Sequence, residues 1–230
     1  MESVFYIEAD EAKHIIISVI ALSFAFTILY TGGIGSALEH PSAFFLFGLL
    51  SMVTVGSGFI LHEMAHKVAA IHYGAYARFT MWMQGLVLMV ITSLFGFLFA
   101  APGAVYIYSQ QITKKENGII SIVGPLVNIA IAVIFLLLNL IKPILFNFPF
   151  FGTPFSIWEF GARINIMLGL FNMIPAFPLD GSKVFMWNKF VWGAFIGITL
   201  LFGVKLFGIG LVISWGILLV LALLFSKLLF

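Results

Sequence analysis

Apolar residues run along the chain in long blocks that are separated by short polar breaks. Blocks of about twenty apolar residues predict membrane-crossing helices, because an α-helix needs roughly that length to cross the hydrocarbon core. Six blocks approach or exceed this length, and we predict about six transmembrane helices from them. These blocks cover residues 14–31, 43–70, 119–141, 155–174, 190–207 and 209–230.

A seventh apolar block, residues 79–108, has a different pattern. Glycine, proline, threonine and glutamine interrupt it, and its two ends read ARFTMW and GAVYIYS. Aromatic and β-branched residues of this kind are typical of strands. We therefore predict a re-entrant, partly β hairpin at this place, within a fold that is otherwise an all-α polytopic membrane protein.

Composition supports this class. Hydrophobic residues make up 62% of the chain and charged residues 9%, and the mean hydropathy is +1.16, far from the values of soluble proteins. A net charge of +2 without a basic stripe gives no sign of nucleic-acid binding. The chain has no cysteine, so a metal site would have to use histidine and carboxylate ligands.

The last third of the second block contains the motif His62-Glu63-Met64-Ala65-His66. Residues four apart share one face of a helix, so both imidazoles can bind one zinc ion while Glu63 lies beside a water molecule. Charged residues within a membrane span usually mark a function. As alternatives, the two histidines could line a water-filled pore or hydrogen-bond to each other.

A zinc site of this kind needs a third protein ligand, and the sequence offers three candidates. His72 follows His62 by ten residues, but Ala69 stands where sites with that spacing have a glycine turn. Glu116 lies in a polar break. Asp180 follows two helix-breaking prolines, although an aspartate at this place could also simply cap the next helix.

Three segments together resemble the site-2 protease family of intramembrane zinc metalloproteases. They are HEMAH, the later NMIPAFPLDG, and GPLVN between them, so that the likeness runs from about residue 57 to residue 184. The resemblance implies one zinc ion held by His62, His66 and Asp180, with Glu63 as general base. It also implies that Asn172 faces the substrate or the oxyanion. The long, apolar block 79–108 departs from the short β-sheet usual in this family.

The resemblance further implies an intramembrane zinc endopeptidase that cleaves transmembrane segments of membrane-protein substrates. On this interpretation residues 1–230 form a single domain with a catalytic core at about 43–190 and flanking spans at 14–31, 190–207 and 209–230. The partners are a substrate with a transmembrane helix and the lipid bilayer; the oligomeric state is not predicted. The alternative is a non-catalytic metal-binding membrane protein, transporter or channel.

The membrane topology provides a check on Asp180 as a ligand that does not depend on the family resemblance. Asp180 can meet the two histidines only if block 79–108 enters and leaves on one side of the membrane. Eight Lys and Arg residues then lie on the side of the site, against two on the other side: Lys13, Lys67, Arg78, Lys114, Lys115, Lys183, Lys189 and Lys227 against Lys142 and Lys205. For this multi-pass membrane protein, the positive-inside rule therefore predicts that the site lies toward the cytosol.

Overall fold

The computed structural model describes residues 5–98, 102–109 and 111–229, and most of these residues are helical. The helices, in chain order, are α1 (Ala9–Thr31), α2 (Gly35–Glu39), α3 (Pro41–Ser51), α4 (Ser57–His72), α5 (Met83–Leu94), α6 (Lys114–Ile141), α7 (Ile157–Asn172), α8 (Asp180–Trp187), α9 (Lys189–Phe207) and α10 (Gly210–Leu229). Four short strands are β1 (Tyr76–Met81), β2 (Gly103–Tyr108), β3 (Leu145–Phe146) and β4 (Phe155–Ser156).

Helices α3 and α4 form one continuous apolar segment, Pro41–His72, of 32 residues. A π-helical turn, Met52–Gly56, joins them, and five residues separate it from the start of the HEMAH motif. Turns of this kind occur mostly as single insertions in α-helices and often near functional sites. The turn packs on α1, where a Cβ on Gly56 would lie 2.9 Å from Val19 Cγ1, so glycine permits the close approach.

Strands β1 and β2 pair antiparallel, from Tyr76 opposite Tyr108 to Met81 opposite Gly103. This confirms the strands predicted at the two ends of block 79–108. Helix α5, with 12 residues, lies between the strands, and the sequence pattern did not predict it. Residues 99–101 of this block lie outside the described residues. Because β1 and β2 are paired, the chain leaves this segment beside the point where it enters.

An ion pair between Glu11 of α1 and Lys67 of α4 is fully buried, with 1% and 2% of these residues exposed. Lys67 Nζ lies 2.7 and 2.6 Å from the two carboxylate oxygens, and Phe79 N of β1 donates to Glu11 Oε1 at 2.9 Å. Removing one partner of a buried pair typically costs about 3–5 kcal/mol. The pair therefore fixes α1, α4 and β1 together, and Glu11 neutralises a lysine that the charge count had assigned to the cytosolic side.

Helices α6 and α7 pack closely along their length. A Cβ on Gly161 of α7 would lie 2.7 Å from the Phe135 ring of α6, so glycine allows the two helices to approach. Helix α6 begins with a capping box, in which Thr113 Oγ1 accepts from Glu116 N and Glu116 Oε2 accepts from Thr113 N. Glu116 therefore stabilises a helix end.

The described residues contain four helices that are long and apolar enough to cross a membrane: Ala9–Thr31, Pro41–His72, Lys114–Ile141 and Lys189–Phe207. They correspond to four of the six predicted spans. Helix α7 has 16 residues and is therefore shorter than each of these four helices. The structure thus supports a membrane protein with four candidate spans and small sheets, and it does not confirm the count of six.

Candidate metal centre

Helix α4 places His62, Glu63 and His66 on its buried side, with 4%, 7% and 7% of these residues exposed. The two histidines are one turn apart, and their Nε2 atoms lie 3.0 Å from each other. The helical spacing of the motif therefore brings the two imidazoles together, as the sequence predicts.

Asp180 reaches the two histidines from the first residue of α8. Its Oδ2 lies 3.0 Å from His66 Nε2 and 3.4 Å from His62 Nε2. The chain can return so closely because Gly181 has no side chain: a Cβ there would lie 2.2 Å from the Met173 carbonyl group. Ligand atoms of His62, His66 and Asp180 all lie within 4.8 Å of one another.

Hydrogen bonds orient both imidazoles toward this group. His62 Nδ1 lies 2.6 Å from Asn128 Oδ1, and His66 Nδ1 lies 2.7 Å from the Ile120 carbonyl oxygen. Both oxygens can only accept, so each Nδ1 carries the hydrogen and a neutral imidazole keeps its lone pair on Nε2. Two imidazole lone pairs and a carboxylate oxygen that face one another are a donor set that fits a zinc ion.

Helix α6 covers the two histidines with the GPLVN segment. A Cβ on Gly124 would lie 2.4 Å from His66 Nε2 and 2.7 Å from His62 Nε2. Glycine at this position leaves room for the two imidazoles and for an ion between them.

Glu63 faces the β-sheet beside the histidines. Its Oε2 accepts a hydrogen bond from Val105 N of β2 at 3.0 Å. Strand β2 thus fixes the carboxylate next to the group of His62, His66 and Asp180.

The other sequence candidates lie elsewhere. His72 is exposed at the end of α4, where its ring contacts Tyr73, and Glu116 caps α6; neither belongs to the group that could hold a metal. Asn172, the last residue of α7, donates from Nδ2 to the Leu168 carbonyl oxygen at 3.0 Å. Its predicted role toward the substrate stays a prediction.

Three residues of the site were not predicted from sequence in these roles. Asn128 and Asn165 are fully buried asparagines that lie behind His62, and Lys183 Nζ lies 3.6 Å from Asp180 Oδ1. The sequence does show two asparagines inside apolar blocks, and this is a usable signal because polar groups in membrane-crossing helices need partners. Lys183 carries no such signal.

Similarity to known proteins agrees with this centre. A protein of Methanocaldococcus jannaschii whose name provisionally assigns it as a zinc metalloprotease is 41% identical over 86% of this chain and 95% of that protein. A second protein of the same organism, named a zinc metalloprotease, is 29% identical over 72% of this chain but only 41% of its own length. No protein-family model matches the chain. The solved structure of the site-2 protease from Methanocaldococcus jannaschii has a TM-score of 0.45 and 21% identity over 89% of this chain and 87% of that chain.

The match to the first relative covers 86% of this chain and 95% of that protein, and two of the three motifs supply the buried group of His62, His66 and Asp180. The chain therefore belongs to the site-2 protease family of zinc metalloproteases. The predicted family is confirmed, and so is zinc as the predicted cofactor, since the relatives are named for zinc and the buried His-His-Asp group could hold one ion.

Gly124→Ala tests the geometry of the centre. The added methyl group would lie 2.4 Å from His66 Nε2, so we expect displaced imidazoles and a zinc affinity that falls by roughly 10-fold or more. Zinc content after purification and competition with a chelator measure this effect. Gly203→Ala is the matched control, because its Cβ would lie 2.1 Å from Leu211 Cδ2, and the side chains that it would meet, Leu211 and Ile166, are not part of the metal group. Equal zinc loss in both variants would contradict the expectation.

Proposed function

We propose that the protein is an intramembrane zinc endopeptidase that cleaves transmembrane segments of membrane-protein substrates. One observation carries this proposal: the group His62, His66 and Asp180 lies on and against a 32-residue apolar helix that is long enough to cross a membrane. A hydrolytic centre on such a helix is suited to substrates that are themselves within the bilayer.

In this proposal His62, His66 and Asp180 hold the ion, and Glu63 is the general base. Zinc, when bound, supplies a Lewis acid that polarises the scissile carbonyl group and increases the acidity of water. Glu63 accepts the proton from that water and transfers it to the leaving amine. The bond from Val105 N occupies one carboxylate oxygen and orients the other for this transfer.

Asn172 is proposed to bind the substrate or the oxyanion. Its side-chain nitrogen has two hydrogens, and one bond goes to the Leu168 carbonyl oxygen of its own helix. The second hydrogen is then available to an oxygen of the substrate. Donors oriented in this way stabilise charge that develops on the scissile carbonyl oxygen.

Strand β2 is proposed to bind an extended part of the substrate. Phe79 and Val105 are opposite each other in the sheet, and their N–H groups bond outside it, to Glu11 and Glu63. The outer edge of β1 therefore faces α1, and the outer edge of β2 faces the proposed base. A peptide added as a strand to β2 would lie beside Glu63, after unwinding of its helix.

The membrane topology is part of the proposal. Helix α5 has 12 residues and is about 18 Å long at the usual rise per residue, whereas a hydrocarbon core is about 30 Å thick. We infer that β1, α5 and β2 form a re-entrant segment, that α7 with the flanking residues of block 155–174 and α10 in block 209–230 complete six spans, and that residues 1–230 form one domain. The excess of Lys and Arg on the side of the site supports a site that lies toward the cytosol.

Cysteine labelling tests the re-entrant segment, since the natural chain has no cysteine. Tyr76→Cys and Tyr108→Cys alter neighbouring strand residues that are 42% and 58% exposed. We expect a membrane-impermeant maleimide to label both only from the cytosolic face. Leu140→Cys, near the far end of α6 and 80% exposed, should be labelled only from the opposite face. Labelling of the two strand positions from opposite faces would contradict the topology.

Glu63→Gln tests the proposed protease activity and the role of Glu63 as its general base. Because general acid–base catalysis typically contributes about 10²–10⁴-fold, we expect cleavage of a single-span substrate in detergent to fall by that factor while zinc content is unchanged. The glutamine oxygen can still accept from Val105 N. Asp180→Ala should lose both zinc and cleavage, and His72→Ala should keep both. Stoichiometric zinc without any cleavage that depends on Glu63 would instead favour a non-catalytic metal-binding protein, transporter or channel.

A further inference from the structure

Two asparagine side chains are fully buried between α4, α6 and α7. Asn128 of α6 and Asn165 of α7 are both 0% exposed, and Asn128 Nδ2 donates to Asn165 Oδ1 at 3.0 Å. A buried amide without partners is costly, so the direction of each hydrogen bond here is constrained by the groups around it.

The partners of Asn165 determine which way its amide points. Its Nδ2 donates to the Gly161 carbonyl oxygen at 2.9 Å and to the Thr54 carbonyl oxygen at 3.3 Å. Carbonyl oxygens only accept, so the nitrogen of Asn165 must face them. The Asn165 oxygen is thereby left as an acceptor that faces Asn128.

The same reasoning then applies to Asn128. The two hydrogens of its Nδ2 go to Asn165 Oδ1 at 3.0 Å and to the Gly58 carbonyl oxygen at 3.3 Å. Its oxygen is left for His62, whose Nδ1 lies 2.6 Å away. An oxygen at this place requires a hydrogen on His62 Nδ1, which leaves Nε2 of a neutral imidazole as the metal-binding atom.

A rotated Asn128 amide would have the opposite effect. Its nitrogen would then face His62 Nδ1 and favour the imidazole with its hydrogen on Nε2, the atom that lies 3.4 Å from Asp180 Oδ2. Two acceptors oppose this rotation: Asn165 Oδ1 at 3.0 Å and the more distant Gly58 carbonyl oxygen at 3.3 Å. Asn165 supplies the shorter of the two bonds.

Helix α4 and the π-helical turn before it provide both space and a hydrogen-bond acceptor for the Asn165 side chain. A Cβ on Gly58 would lie 2.2 Å from Asn165 Oδ1, so only glycine allows the amide to reach Asn128. The π-helical turn contributes the Thr54 carbonyl oxygen as an acceptor on the same side. Contacts from the π-helical turn, α6 and α7 thus all require the same orientation of the Asn165 amide, with its oxygen toward Asn128.

We propose that Asn165 is a positioning residue of the metal centre, which fixes the orientation of the Asn128 amide and through it the tautomer of His62 that binds zinc through Nε2. The proposal rests on His62 as a zinc ligand, which is part of the proposed function. Asn165 acts through Asn128 and contacts neither the ion nor the substrate.

Zinc affinity of the full-length protein in detergent, measured with zinc alone against a chelator, tests this role. Asn165→Leu has a similar volume but no amide, and we expect its zinc dissociation constant to rise about 10- to 100-fold, the range for changes in residues that orient a ligand. Asn165→Asp in its protonated form keeps an oxygen that accepts from Asn128 and a hydroxyl that can donate to the Gly161 carbonyl oxygen, so its zinc dissociation constant should stay within a few-fold of that of the natural protein. Gly58→Ala, which crowds Asn165, should weaken zinc binding in the same way as Asn165→Leu.

Trp215→Phe is the control for a general effect on packing. It removes a buried hydrogen bond from Trp215 Nε1 to the Leu170 carbonyl oxygen on the same helix α7, 2.9 Å long, without touching Asn128. We expect thermal stability to fall and zinc affinity to stay unchanged. A loss of zinc affinity equal to that of Asn165→Leu would overturn the positioning role.

Nitrogen NMR of protein with ¹⁵N-labelled histidine separates positioning from stability, because the chain has only five histidines. In the metal-free protein we expect His62 to carry its hydrogen on Nδ1, and this population should fall in Asn165→Leu but not in Trp215→Phe. An unchanged tautomer and an unchanged zinc affinity in Asn165→Leu would overturn this proposal and leave the protease assignment intact. Zinc binding that depends on Asn165 in a protein that cleaves nothing would overturn the protease assignment alone.

Discussion

The structure depends on one constraint: polar side chains in an apolar helix must find partners inside the protein. Fewer than two turns of α4 carry four such residues, and their partners come from four other elements of the chain. The contacts are His62 with Asn128, Glu63 with Val105, His66 with Ile120 and Asp180, and Lys67 with Glu11. Helices α1, α6 and α8 and strand β2 are arranged around this turn as a consequence.

Glycines make these contacts geometrically feasible. Gly58 admits Asn165, Gly124 makes room for the two imidazoles, and Gly181 lets Asp180 return against the end of α7. A methyl group at any of the three would lie within 2.4 Å of another atom. The metal centre therefore depends on these glycines, which let other residues pack against the backbone, as much as on the proposed ligands and base.

Much of the centre follows from local sequence. The helical spacing of His62 and His66 is enough to bring them together, and strand-like residues at the ends of block 79–108 predicted β1 and β2. Asp180 was one of three candidate ligands from the sequence, and the family resemblance selected it, because contact across more than a hundred residues leaves no local pattern. Helix α5 and the Glu11–Lys67 pair were not predicted for the same reason: the position of each depends on packing between distant segments.

His62, His66 and Asp180 are proposed as the only protein ligands of the zinc ion, with each histidine bound through Nε2. Zinc K-edge X-ray absorption spectroscopy on the purified, zinc-loaded protein tests this claim most directly, because it counts imidazole and oxygen ligands. We predict two imidazole nitrogens, with oxygen in the remaining positions at about 2.0–2.2 Å. A third imidazole in the coordination sphere, or a single one, would contradict the account.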